Sequence, residues 1–66
     1  MLVQFLKDVT VDCDARHSWE ERSFRRFDEV NVDEIIPASK QFSHLVLTDG
    51  IILCDVPNNV FKWSVV

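Results

Sequence analysis

The dipeptide Asp49-Gly50 contains the only glycine in the 66-residue chain and separates two apolar runs, Phe42–Thr48 and Ile51–Val56. Asp-Gly between runs of this kind is the strongest short-range hairpin signal, because a type I′ turn needs positive φ at both central residues. The flanking runs are rich in Leu, Val and Ile and too short for ordinary helices. The sequence therefore predicts an antiparallel pair. A lone hairpin is at best marginally stable, so further strands must cover its apolar face.

Those strands can be sought by alternation. Val3, Phe5, Val9, Val11 and Cys13 share one parity, with Gln4, Asp8, Thr10 and Asp12 on the other. Lys7 and Leu6 break the pattern, and a bulge or bend at Leu6–Asp8 would restore it. "DEVNVDEII" alternates again at Val30 and Val32, and Pro37 ends that strand. After Val56, Pro57 pre-sets φ and cannot donate to a ladder. Asn58 and Asn59 can bond nearby backbone and close one helical turn, after which Val60, Phe61, Trp63 and Val65 resume an extended pattern. "RHSWEERSFRRF" has two readings. Ser18 and Glu21 have capping-box spacing and Glu21 precedes Arg25 by four, as in a short helix. Its three aromatic residues make no wide stripe, which favours a loop running into a strand at about Phe24.

The resulting order is strand, long loop, strand, short loop, strand, Asp-Gly hairpin, strand, one 3₁₀ turn, strand. In this order, in the corner "VPNNV" and in "FDEVNV" (Phe27 to Val32), the chain resembles an SH3-like small barrel. The resemblance implies an all-β, five-stranded barrel forming a single domain over residues 1–66. It also implies where a proline-rich ligand would bind, and there the sequence departs from the family. The first strand reads "VQFLKDV", the third opens with Phe42, and Val60 stands where the corner tyrosine would be. Recognition of proline-rich segments relies on aromatic grooves, and the chain has no tyrosine at all.

Size and charge narrow the functional classes. A chain this short supports one small core, and its 47% apolar content argues for an ordered globule. A formal net charge of −4 disfavours broad phosphate-backbone binding. No apolar run approaches the ~20 residues of a membrane span, and Lys7 and Asp8 interrupt the N-terminal apolar stretch before it can serve as a signal peptide. The chain is expected to be cytoplasmic. Cys13 and Cys54 are then expected to be buried free thiols behaving as small hydrophobes.

Candidate chemistry is sparse. Cys13, His17, His44 and Cys54 could supply a Cys₂His₂ zinc set, yet Cys-x₃-His and His-x₉-Cys match no familiar ligand spacing. A Cys–His nucleophile would need an orienting group and a pocket, which a barrel filled by its own side chains does not provide. No catalytic residue, metal ligand, cofactor or small-molecule substrate is assigned. Arg16, Arg22, Arg25 and Arg26 are the one basic concentration, interleaved with Trp19 and Phe24, but Glu20, Glu21, Asp28 and Glu29 nearly cancel it.

The expected function is a non-enzymatic protein-interaction module, of a kind common among small phage and bacterial accessory proteins that bind or inhibit a host protein. Trp19, Arg22, Arg25 and Arg26 are the expected partner contacts, since Trp and Arg dominate interface energetics. Self-association is the other form of this reading. The alternative is a nucleic-acid-associated barrel using the Arg16–Arg26 cluster.

Overall fold

The computed structural model describes residues 1–16 and 18–64, and the fold is all-β. The strands are β1 Leu2–Phe5, β2 Val9–Ala15, β3 Ser18–Phe24, β4 Glu29–Pro37, β5 Phe42–Leu47, β6 Ile52–Pro57 and β7 Phe61–Ser64. They form one antiparallel sheet in the order β3-β2-β6-β5-β4-β1-β7. The expected five-stranded barrel is thus corrected to seven strands in an open sheet whose edges are β3 and β7.

Two features of the sequence conceal the extra strands. Of the bulge or bend expected at Leu6–Asp8, the chain takes the bend, and it is sharp enough to give the two halves different neighbours. β1 joins β4 and β7, whereas β2 joins β3 and β6. Residues 18–24 are neither loop nor helix but a strand hairpinned onto β2, with Val9 opposite Phe24 and Cys13 opposite Glu20. Directly opposed residues share a face, so Phe24, Arg22 and Glu20 lie on the core side and Trp19, Glu21 and Ser23 on the other. Charged side chains occupy both faces of this edge strand, and its hydrophobic alternation is invisible.

The Asp-Gly hairpin forms between β5 and β6, but its turn is not type I′. Leu47 N–H donates to Ile51 carbonyl (2.8 Å) and Gly50 N–H to Leu47 carbonyl (3.0 Å), which leaves a three-residue loop, Thr48–Gly50. Only Gly50 takes positive φ there, at +89°, the pattern of a type I turn followed by a bulge. The 3₁₀ turn stands at Asn58–Val60 as expected. Its Asn58 reaches farther than the adjacent backbone: its side-chain oxygen accepts from buried Ser43 (2.6 Å) and its amide donates to Lys40 carbonyl (3.2 Å). The last strand runs Phe61–Ser64, and Val65 lies outside the described residues.

The core is built from Val3, Phe5, Val11, Cys13, Val32, Leu45, Leu47, Leu53, Val56, Val60 and Phe61. Two bulges make this set possible. Leu53 and Val56 are three residues apart, yet both are buried, because the β5–β6 register slips between Ser43 and Leu45. Asp55, at φ +52°, absorbs the slip, and its N–H donates to His44 Nδ1 (3.2 Å). The β4–β5 slip between Val32 and Glu34 likewise turns both Val32 and Ile35 inward.

The sheet is rolled. A flat sheet is one layer ~10 Å thick, whereas the smallest extent of this molecule is 22 Å. Rolling stacks Phe24 of β3 on Phe5 of β1, with ring centroids 4.4 Å apart. The turn after β3 is held there as well. Phe27 N–H donates to Phe5 carbonyl, Phe5 N–H to Asp28 carbonyl, and the Asp8 carboxylate accepts from Arg26 N–H.

Candidate interaction surface

The outer, convex face of β3-β2-β6-β5-β4 follows directly from the strand registers. One row runs across all five strands as Trp19, Asp14, Ile52, Val46, Glu34. Beside it lies a second row, Glu21, Asp12, Cys54, then His44 and Ile36 across the β6 bulge. Phe42 and Pro57 pair at the end of β5 and β6. Two-sided apolarity in β5 and β6 produces this face. "FSHLVL" and "ILCDVP" put Leu45, Leu47, Leu53 and Val56 inside and still leave Val46, Ile52 and Phe42 outside.

The outer face has two halves. On β2 and β3 it is acidic, with Asp12, Asp14 and Glu21 gathered around Trp19, and Asp12 directly faces Glu21. On β6, β5 and β4 it is mainly apolar, with Val46 and Ile52 half-buried and Ile36 and Phe42 exposed beside Cys54, His44 and Glu34. Trp19 is 71% exposed, the most of any large hydrophobic side chain among the described residues, and borders a shallow groove with Asp12, Glu20 and Glu21.

The expected contact residues do not form one site. Trp19 projects outward, whereas Arg22 opposes buried Val11 on the core side and is half-buried. Arg25 and Arg26 sit in the turn beyond the far end of β3, about 20 Å along the strand from Trp19. Arg16 lies in the β2–β3 turn at the opposite end, at φ +62°. The arginines that cluster in sequence are thus spread over both ends of the β2–β3 hairpin and its core side. Arg25 and Arg26 do share a firmly held turn. The Asp28 carboxylate accepts from Arg25 N–H (2.8 Å), and the Arg26 guanidinium lies 4.6 Å from the centre of the exposed Phe27 ring.

The zinc set is also divided. Cys13 is fully buried on the core side, while Cys54, opposite Asp12, is outward-facing and half-buried, so the expectation of two buried thiols holds for Cys13 alone. His44 is outward, its Nδ1 engaged by Asp55 N–H, and His17 lies outside the described residues. Cys13 and Cys54 are free thiols. Burial pushes both above the ordinary thiol pKa, the reverse of what activates a nucleophile. No helix is long and apolar enough to cross a membrane among the described residues.

Alternation of the wrong kind is the signal that points to the outer face. Consecutive apolar residues on β5 and β6 put a second apolar surface outside. No family model matches the chain, and neither a curated protein nor a solved structure is significantly similar to it.

Proposed function

We propose that this chain is a non-enzymatic protein-interaction module, an accessory protein of phage or bacterial type that binds or inhibits a host protein in the cytoplasm. The observation that carries the reading is the outer sheet face, where a largely exposed Trp19 stands across acidic β2 from outward-facing Ile52, Val46 and Ile36. Indole side chains in such settings are typical anchors of protein interfaces. Exposed apolar patches edged by polar groups mark interaction sites more often than structural ones.

The SH3-like resemblance supports a binding role at the level of element order, with β3 standing where the first long loop was expected. It does not supply a proline-motif site. The depression by the 3₁₀ turn, about 490 Å³, is lined by Lys40, Gln41, Phe42, Pro57, Asn58 and Asn59 and carries one aromatic ring. The nucleic-acid alternative draws on the Arg26–Phe27 pair, but its other arginines are dispersed.

The test is affinity capture from the native host with immobilised wild-type and Trp19→Ala protein. A nuclease-resistant protein retained by wild type and lost with Trp19→Ala supports the module. Nuclease-sensitive material retained equally by both, and lost with Arg25→Ala/Arg26→Ala, supports the alternative.

A further inference from the structure

We infer that the occupant of the outer face is a basic segment of a protein partner that also bears apolar side chains. The inference rests on the protein-docking reading above and adds the partner's chemistry. Asp12, Asp14 and Glu21 gather on one half of the face and Glu34 closes its far side. The aligned outward residues of the five strands include no Lys or Arg.

The opposition of Asp12 and Glu21 is the informative detail. Like charges directly across an antiparallel pair are destabilising, and no aligned cation on this face offsets them. A ligand that brings cations removes that repulsion on binding, so the arrangement favours the bound state. The other half of the face dictates the second requirement, since cations alone leave Val46, Ile52 and Ile36 wet. From Trp19 to Glu34 the row crosses five strands, about 19 Å at the usual strand spacing. A helix of about 13 residues covers that distance.

The same charges disfavour the other occupants. Nucleic acid would meet carboxylates with phosphates. A second copy docked face to face about a two-fold axis would set Asp12, Asp14 and Glu21 against an equally acidic surface.

The experiment titrates intact protein, in a Trp63→Phe background so that fluorescence reports Trp19, with two synthetic amphipathic helical peptides. One carries Leu and Lys, the other Leu and Glu. The inference predicts binding of the Leu–Lys peptide at least ~10-fold tighter than its Glu counterpart and weakening with added salt. Amide-resonance changes should fall on β2, β3, β4, β5 and β6. Asp12→Asn/Asp14→Asn/Glu21→Gln, with its fold verified by a urea melt, should lose at least ~10-fold in affinity.

Binding of neither peptide, equal binding of both, or full affinity in the neutralised variant would overturn it. So would a Trp19-dependent dimer in sedimentation, or an oligonucleotide displacing the same resonances. If a host protein is captured through Trp19 while the Leu–Lys peptide fails to bind, the docking reading stands and the basic partner is discarded.

Discussion

Gly50 sits at φ +89°, and a Cβ added there would find its nearest neighbour, an Arg16 guanidinium nitrogen, at an ordinary 3.5 Å. Space is therefore not the constraint; backbone conformation is. Gly50→Val should lower stability by more than ~1 kcal/mol in a urea melt, because a β-branched residue resists this region of φ. The thiols make a second residue-scale prediction. Half-buried Cys54 should react with a thiol reagent faster than fully buried Cys13, and both rapidly in denaturant. Because burial raises both native pKa values, the native state holds these protons longer than the unfolded chain as pH rises. Their contribution is intact below the unfolded thiol pKa of ~8.5 and is lost as pH climbs toward the native values. A Cys13→Ala/Cys54→Ala variant should show a flatter decline of urea midpoint on the alkaline side. An unchanged slope would show that other groups control it.

At the scale of elements, β3 has two faces with different duties. Phe24, stacked on Phe5, fastens the strand to the far side of the rolled sheet. Phe24→Ala should destabilise by about 2–4 kcal/mol, whereas Trp19→Ala should stay within ~0.5 kcal/mol because the indole is largely exposed. Equal losses in urea melts would contradict this division. Glu20 and Arg22 point to the core side of a free edge, a placement that discourages edge-to-edge pairing. Glu20→Val/Arg22→Val should make sedimentation concentration-dependent; a variant that stays monomeric would deny that role. The sequence hid this strand because charged residues on both faces erase the period-2 signal on which strand recognition depends. The β5–β6 hairpin was legible because turn chemistry and apolar content agree there. Its loop length was not, since Asp-Gly serves a two-residue turn and a three-residue bulged turn alike.

For the whole molecule, the all-β class and the 3₁₀ corner were legible, and the strand count and closure were not. Both bulges place residues of opposite parity in one core, Leu53 with Val56 and Val32 with Ile35, so simple alternation misplaces one of each pair. Of the expected contact residues, only Trp19 lies on the outer face. Arg22, Arg25 and Arg26 neighbour it in sequence, but strand parity and strand length separate them in space. Val46 and Ile52 were not singled out, because an apolar run does not reveal which of its faces is covered. The account turns on that second apolar face being held for a partner. The most direct measurement is the affinity of the captured host protein for wild type and for Val46→Thr/Ile52→Thr, which retains β-branching at both outward positions. The account predicts a urea midpoint close to wild type and at least ~10-fold weaker binding. Unchanged affinity in a folded variant would contradict it.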